Sequence, residues 1–248
     1  MPAKSPNRLY LSDALKSGQH LRLNEERAHY VVRVLRLRAG DEVVLFNGTG
    51  GEFTASIIEV SKRGVMLLLG DHIERNVESP LKIHLIQGVS RGERMDVVVQ
   101  KATELGVHRI TPVMTEFSVV RLAGDRGAKR SMHWTRIAQS ACEQSGQNVV
   151  PAIDAPQPFK SWLSDASASG VEKALLHPRA ENTFTSLKCA DDRVQLLIGP
   201  EGGFSDAEAE QALAAGFIGC SLGPRILRTE TAAIAAIAIL QNRCGDLG

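Results

Sequence analysis

Two glycine-containing segments near the C-terminus have the residue types and spacing of ligand-binding loops. The first, Gly199-Pro200-Glu201-Gly202-Gly203, follows the apolar residues 194–198, and the second, Gly223-Pro224-Arg225, follows residues 218–222. Glycine lets a ligand approach the backbone closely, so peptide N–H and C=O groups can bind it directly. Loops at the carboxyl ends of neighbouring strands are where open α/β sheets bind ligands. The two segments therefore predict a small-molecule site with arginines at its edge.

The glycine spacing argues against the common phosphate-binding loops. No Gly-Lys-Ser/Thr follows either segment, as a P-loop requires. The spacing from Gly199 to Gly202 and Gly203 does not match a dinucleotide fingerprint. A cofactor with an adenosine but no phosphate remains, and S-adenosylmethionine fits that description. On spacing alone, tight turns and helix caps without a ligand are the commoner explanation of such loops.

The elements that must position these loops alternate between strand and helix after Pro80. Apolar runs predict strands at residues 81–86, 109–113, 174–177, 195–198 and 218–222. Helices are predicted over residues 93–105, from Ser131 to about Ser145, from Ser205 to about Gly216, and over 232–240. Ser205 and Glu208 form a capping box. Repeated β-α-β units with short connections imply a mostly parallel sheet covered on both faces.

The N-terminal part has a different pattern, with short β-prone runs separated by turns. Residues 42–46 and 52–58 flank Asn47-Gly48, which is typical of a β-hairpin. Asn24 is a good N-cap for a helix over residues 25–35. These features predict a small, mostly β domain that forms a barrel.

Length and composition limit the class of protein. The 248 residues suit one large domain or two modest ones, and we predict a division into residues 1–73 and 74–248. The net charge of +1 gives no global field that would attract nucleic acid. The start has no apolar signal segment, and the apolar run 232–240 is too short to span a bilayer. We expect a cytoplasmic protein with no membrane partner.

The four cysteines are scattered along the chain. Cys142, Cys189, Cys220 and Cys244 include no Cys-x-x-Cys pair and no His at zinc spacing. We therefore expect no metal, and we expect all four to be buried thiols in a reducing compartment.

Several motifs together resemble the ribosomal RNA small subunit methyltransferase E family of the SPOUT superfamily. Residues 197–205 and 222–232 are similar to its two C-terminal signatures, with further matches at 29–36, 100–107 and 143–146. This combination is highly specific and extends over nearly the whole chain. One departure is Gln147, which stands where the family usually has Arg and puts one possible phosphate contact in question.

The resemblance implies a PUA-like β-barrel that binds RNA, followed by a SPOUT α/β trefoil-knot domain with a mostly parallel sheet. It implies a homodimer that methylates N3 of one uridine (uridine 1498) in 16S rRNA, within the 30S subunit, with S-adenosylmethionine as methyl donor. The knot could not be inferred from pattern, because general topology rules count against it. The alternatives are another SPOUT reaction, such as ribose 2′-O methylation, and a non-catalytic RNA-binding assembly factor.

Carried onto this chain, the resemblance implies that three strand-end loops hold the methyl donor. The expected cofactor-binding residues are Leu176, Ile198, Gly199, Pro200, Glu201, Gly202, Leu222, Gly223, Arg225, Ile226, Leu227 and Arg228.

Two of these residues are candidates for a catalytic role. N3 of uracil is mostly protonated at neutral pH, so an enzyme must accept that proton or stabilise the uracil anion. Arg228 is the leading candidate for stabilising the anion; alternatively, it pairs with Glu230 or caps a helix. Glu201 is a candidate base, although a nearby helix N-terminus would favour its charged, less basic form, and capping backbone N–H groups is its simpler role.

Local clusters of basic residues predict the RNA-binding surface. Arg33 and Arg36 are three residues apart and would share one face of the predicted helix. Such runs are usually solvated, but beside the family resemblance phosphate contact is the better interpretation. Tyr10 offers a ring for base stacking. The RNA-binding candidates are Arg8, Tyr10, Arg22, His29, Arg33, Arg36, Arg38, Arg91, Arg94 and Lys101.

The final predicted helix is apolar almost all round. Such a helix must be buried on every side. Its alanines would allow another helix to approach closely, which suits a dimer interface; burial in the core of one subunit is an equally good explanation.

Overall fold

The computed structural model describes residues 6–120, 122, 124–165, 171–189 and 191–248. The chain forms two compact units. The first contains Met1–Glu78 and Cys142–Val150, and the second contains Ser79–Ala141 and Pro151–Gly248. The division thus falls after Glu78 rather than at the predicted residue 73. The segment Cys142–Val150, which we expected in the second domain, groups with the first unit.

A five-stranded mixed sheet forms the first unit, with the strand order β1-β3-β4-β5-β2. The strands are β1 (Asn7–Tyr10), β2 (His20–Arg22), β3 (Glu42–Phe46), β4 (Glu52–Ser61) and β5 (Gly64–Ile73). β1 and β3 are parallel, and the other pairs are antiparallel. The antiparallel pairing of β3 with β4 confirms the predicted hairpin at Asn47-Gly48. Leu9, Leu45 and Leu67 are fully buried in the core of this unit.

The helix of the first unit differs from the prediction in its second half. Helix α1 (Glu25–His29) begins as predicted at Asn24, whose side chain accepts a hydrogen bond from the Arg27 N–H at 2.9 Å. Tyr30–Val34 then forms a π-helix, and Arg36 has a left-handed backbone with a φ of 57°. The prediction that Arg33 and Arg36 share one α-helical face is therefore wrong, because the wider turn and the left-handed residue end the α-helical spacing between them.

An eight-stranded, wholly parallel sheet forms the second unit. The order is β11-β13-β10-β12-β6-β7-β8, and β9 also pairs with β7. The strands are β6 (Lys82–Gly88), β7 (Arg109–Met114), β8 (Ala152–Ile153), β9 (Gln157–Pro158), β10 (Glu172–Leu176), β11 (Asn182–Thr183), β12 (Arg193–Ile198) and β13 (Ile218–Ser221). This sheet confirms the predicted parallel architecture. Because β13, β10 and β12 are neighbours, their carboxyl ends lie side by side at one edge.

Among the described residues, five α-helices accompany this sheet. They are α2 (Arg94–Glu104), α3 (Asp125–Ser145), α4 (Phe159–Asp165), α5 (Asp206–Ala214) and α6 (Thr229–Cys244). The predicted capping box of Ser205 and Glu208 is present at the start of α5. The predicted start of α3 at Ser131 is wrong. The Ser131 hydroxyl lies inside the helix and donates to the Gly127 carbonyl, one turn back, at 3.2 Å.

Helix α6 is only partly buried within one chain. Ala233, Ala236 and Ile237 are fully buried, whereas Ile239 is 36% exposed. Ile234 and Ala235 are half-buried. The expectation that this helix is buried on every side therefore does not hold within one chain.

Two of the four cysteines are not free thiols. Cys189 and Cys244 form a disulfide, which corrects the prediction of four buried thiols. Their separation of 55 residues gave no sign of the pairing. In the fold, the Arg243 guanidinium donates to the Leu187 carbonyl at 3.3 Å, which holds the end of α6 beside the segment that contains Cys189. Cys142 and Cys220 are buried free thiols, as predicted.

In the part of the chain that the structure describes, no helix combines the length and apolar character that crossing a membrane requires. Nor does any cluster of three or more His, Cys, Asp or Glu side chains in those ranges have the arrangement of a metal site.

Candidate functional site

A cavity of about 540 Å³ lies at the carboxyl ends of β10, β12 and β13. We call it the strand-end cavity; its volume is typical of small-molecule sites. The loops that follow the three strands form most of its wall. All twelve predicted cofactor-binding residues line it: Leu176, Ile198, Gly199, Pro200, Glu201, Gly202, Leu222, Gly223, Arg225, Ile226, Leu227 and Arg228. Their role in binding a cofactor stays a prediction.

Further residues of the wall were not among the predicted cofactor residues. They are Arg94, His177, Pro178, Gly203, Phe204, Thr229, Glu230 and Ala232. Seven of them lie in the same segments as the predicted residues or just after them, so the predicted strand ends could have indicated them as well. Arg94 comes from α2 and was predicted only as an RNA contact.

The loop after β12 packs tightly against the end of β6. A Cβ atom added at Gly88 would lie 2.3 Å from Pro200 Cδ and 2.4 Å from Pro200 N. Only a residue without a side chain permits this approach. The loop then turns through a hydrogen bond from the Gly203 N–H to the Pro200 carbonyl at 2.9 Å. The close packing and the turn fix the backbone that lines the strand-end cavity.

A buried polar network connects this loop to the start of α6. The Thr229 hydroxyl donates to the Gly199 carbonyl at 2.7 Å. The Gln87 side-chain amide donates to the Thr229 hydroxyl at 3.0 Å and to the Gly88 carbonyl at 3.1 Å. Gln87 is fully buried. Sequence reasoning missed it, although a glutamine at the end of an apolar strand was a usable signal.

The carboxylate of Glu201 is held by groups at the start of α2. It accepts hydrogen bonds from the Arg91 N–H at 3.0 Å and from the Arg94 guanidinium at 2.5 Å. Partial burial of this carboxylate raises its pKa. Hydrogen bonds from the Glu201 backbone, from Arg94 and from the Arg91 backbone have the larger combined effect, and they hold the pKa of Glu201 below its usual value. A carboxylate with a lowered pKa and two protein donors is a weak proton acceptor. The arrangement favours a role in holding the loop.

Arg228 lies at the edge of the strand-end cavity with an exposed side chain. It occupies the N-cap position of α6 but makes no side-chain cap hydrogen bond. Among the described residues it forms no ion pair, so the alternative pairing with Glu230 is not observed. Its guanidinium is therefore available to a ligand.

Two of the predicted RNA-binding residues are engaged inside the first unit. The Arg8 guanidinium donates to Glu52 at 2.5 Å, to the Asn148 side chain at 2.6 Å and to the Gln147 carbonyl at 3.2 Å. The Tyr10 ring packs edge-on against Phe46, with 5.7 Å between the ring centroids. These contacts favour a structural role for Arg8 and leave the Tyr10 ring only partly accessible.

The other RNA candidates of the first unit are exposed. They are Arg22, His29, Arg33, Arg36 and Arg38. Of these, the Arg22 guanidinium donates to the Arg63 carbonyl at 2.9 Å. Arg36 keeps a left-handed backbone that an arginine adopts only at a cost, although glycine would adopt it freely.

In the second unit, Arg91 is exposed, whereas the other two candidates form ion pairs. Arg94 pairs with Glu201 at 2.5 Å, and Lys101 pairs with Glu104 at 2.8 Å. Arg94 also lines the strand-end cavity.

Family models match both units. The RNA methyltransferase domain model matches residues 77–241, and the RNA methyltransferase PUA domain model matches residues 23–68. The chain is 39% identical over 242 residues to "Ribosomal RNA small subunit methyltransferase E" of Buchnera aphidicola subsp. Acyrthosiphon pisum; the match covers 96% of this chain and 94% of that one.

Two solved structures are similar over almost the whole chain. The first is a putative methyltransferase from Legionella pneumophila in complex with the cofactor SAM, with 43% identity and a TM-score of 0.92. The second is a ribosomal RNA small subunit methyltransferase E from Neisseria gonorrhoeae bound to S-adenosyl methionine, with 37% identity and a TM-score of 0.91. Each match covers 98% of this chain and 100% of the other.

Proposed function

Since the chain belongs to the ribosomal RNA small subunit methyltransferase E family, we propose that it methylates 16S rRNA with S-adenosylmethionine as donor. We propose further that the methyl group goes to N3 of one uridine, uridine 1498. The observation that carries the proposal is the strand-end cavity, with backbone-rich loops on one side. Arg228, which forms no ion pair with a described residue, lies at its edge.

The residues of the cavity fit the proposed donor. Leu176, Ile198 and Leu222 offer apolar contacts for an adenine ring, and the glycine loops offer backbone groups for its polar edges. Gly223, with a φ of 92° and no atom within 4 Å of a Cβ built on it, leaves open space at the wall. When bound, the donor supplies a methyl group on a sulfonium, so the chain itself needs no nucleophile.

The chain's own contribution is to orient the reactants and to stabilise charge. Loss of the N3 proton places negative charge on the uracil carbonyl oxygens, and the exposed Arg228 guanidinium can donate to one of them. The pair of Glu201 with Arg94 and the network around Gln87 fix the loops against which the donor binds. We do not propose Glu201 as the base, because its oxygens already accept hydrogen bonds within the protein.

RNA binding is proposed for the first unit. His29, Arg33, Arg36 and Arg38 are exposed, and their side chains are free of ion pairs with described residues, so they can contact phosphate. The positive φ of Arg36 supports this role, because sparsely populated backbone conformations cluster at functional sites. Arg22 and Arg91 are additional candidates.

Assembly is also a proposal. We propose that the first sheet closes into a PUA-like barrel, that the second unit contains the trefoil knot of its family, and that two copies form a homodimer. The half-buried apolar side chains of α6, including Ile234, Ala235 and Ile239, support a covered face in the dimer. The proposed setting is the 30S subunit in the cytoplasm.

Nucleoside analysis of 16S rRNA from a deletion strain tests the function. Loss of 3-methyluridine, restored by the wild-type gene but not by Arg228→Ala, is the expected result. Loss of a ribose methyl group instead would support 2′-O methylation. An unchanged nucleoside profile would support a non-catalytic assembly factor and contradict the proposal.

A further inference from the structure

Glu230 brings a carboxylate to the wall of the strand-end cavity. It is the second residue of α6 and lines the cavity. Its Oε2 atom is inaccessible to solvent and has no hydrogen-bond partner among the described residues. Buried polar atoms are nearly always hydrogen-bonded, so an exception calls for a functional or structural reason.

The other charged groups of the cavity do not neutralise this carboxylate. Arg94 is already paired with Glu201. Arg225 and Arg228 are exposed, and neither forms an ion pair with Glu230 in the described part of the chain. The backbone N–H groups at the start of α6 favour a negative side chain at this position. Glu230 therefore contributes a negative charge to the cavity that no arginine among the described residues cancels by direct contact.

The proposed reaction changes the charge of the cofactor by one unit. The donor's sulfur is a sulfonium with a positive charge. On transfer, the bond from sulfur to the methyl carbon breaks, its electron pair stays on sulfur, the methyl carbon bonds to N3 of uracil, and the N3 proton leaves. The product's sulfur is then a neutral thioether, while the rest of the molecule is unchanged. A fixed charge in the cavity consequently acts differently on donor and product.

We propose that Glu230 makes the cavity select the cationic methyl donor over its neutral demethylated product. This inference rests on the proposed function, because it requires that the cavity bind S-adenosylmethionine. The attraction acts through space and does not require contact with Oε2. Because this oxygen is enclosed by protein, solvent screens its charge less than it screens the charge of an exposed carboxylate. The same charge favours the replacement of the product by a new donor molecule after each turnover.

Calorimetric titration of the Glu230→Gln variant with the donor and with its demethylated product tests the inference. We expect the dissociation constant for the donor to rise about tenfold and that for the product to change by less than about twofold. Glu230→Asp keeps the charge and should keep the preference for the donor.

Asp206→Asn is the matched control. Asp206 is in the first turn of α5, is exposed, and does not line the cavity. Asp206→Asn removes the same charge from the first turn of another helix and should change neither dissociation constant. If Glu230 only stabilises the start of α6, Glu230→Gln should lower the melting temperature and weaken both ligands equally, which would overturn the inference.

The wild-type protein separates this inference from the proposed function. If it binds neither ligand, the proposed function fails. If it binds both but Glu230→Gln leaves their ratio unchanged, only the inference fails. Should Glu230→Gln not fold, the inference can be tested on the wild-type protein with a donor analogue that has a protonated amine in place of the sulfonium. The wild-type protein should bind it more tightly than the neutral product, and equal binding would overturn the inference.

Discussion

Replacing Gly88 with alanine should displace the loop that follows β12. Gly88 ends β6, and the added Cβ atom would lie 2.3 Å from Pro200 Cδ and 2.8 Å from the Gly199 carbonyl carbon. The loop would have to move by about 1 Å to restore an ordinary contact of 3.4 Å. The atoms in the way are backbone and a proline ring, so no side-chain rotation can relieve the contact.

The displacement should cost both stability and ligand affinity. Overpacking of this kind typically costs about 1–3 kcal/mol of unfolding free energy. A shift of about 1 Å also lengthens hydrogen bonds from the loop backbone to a bound ligand, each of which contributes about 1 kcal/mol. Loss of one or two of them should weaken donor binding about tenfold.

Gly219→Ala is the matched control for this experiment. Gly219 also lies in a strand of the same sheet, but its added Cβ would meet Ala180 Cβ at an ordinary 3.5 Å. Calorimetry should show weaker donor binding for Gly88→Ala and near-normal binding for Gly219→Ala. Normal binding by a folded Gly88→Ala variant, or equal losses in both variants, would refute the role assigned to the loop.

Four further predictions concern separate features of the chain. Arg228→Ala should abolish methyl transfer in a single-turnover assay while donor affinity stays within a few-fold, and retained turnover would remove Arg228 from the catalytic role. Arg33→Ala combined with Arg36→Gly should weaken RNA binding and reduce its salt dependence without loss of stability, because glycine suits the φ of 57°; an unchanged salt slope would show that these residues do not touch phosphate. Burial, and then the charge of Arg109, lower the pKa of His84 to about 4. As pH falls, His84 therefore takes up its proton in the unfolded chain before it does so in the folded one. The unfolding free energy should decline by about 3 kcal/mol between pH 6.5 and pH 4 for this reason. Denaturation measured as a function of pH should show a smaller decline for His84→Gln. Cys189→Ser should lower the unfolding free energy by about 2–4 kcal/mol under non-reducing conditions, and added reductant should lower that of the wild type equally but leave the variant unchanged.

The features that the sequence predicted well depend on local chemistry. Asn24 caps α1, and Ser205 with Glu208 caps α5, because these side chains bond to backbone groups only three residues away. The strand-end loops were predictable because Gly-Pro after an apolar run ends a strand. The twelve predicted residues of the cavity wall lie in those loops, but their assignment to a cofactor came from the family resemblance.

The features that the sequence did not predict depend on distant contacts. β10 lies between β13 and β12, and this order brings the three loops together. The disulfide joins Cys189 to Cys244 across 55 residues. Gln87 acquires its role from contacts with Thr229, far along the chain. The π-helix at Tyr30–Val34 also has no signature in the apolar spacing, which fits an α-helix equally well.

The cysteines do not support the prediction of a reducing compartment, because two of them form a disulfide. Disulfides are uncommon in reducing compartments. The Cys189–Cys244 bond therefore does not follow from the proposed cytoplasmic setting, and the effect of reductant on stability measures how much the fold depends on it.

Transfer of a labelled methyl group in a purified system tests the central claim most directly. The protein, S-adenosylmethionine labelled in its methyl group, and 30S subunits from the deletion strain would be incubated, and the 16S rRNA would be digested to nucleosides. The account predicts that the label is recovered in 3-methyluridine. Label in a ribose-methylated nucleoside, or no transfer by a folded protein, would contradict it.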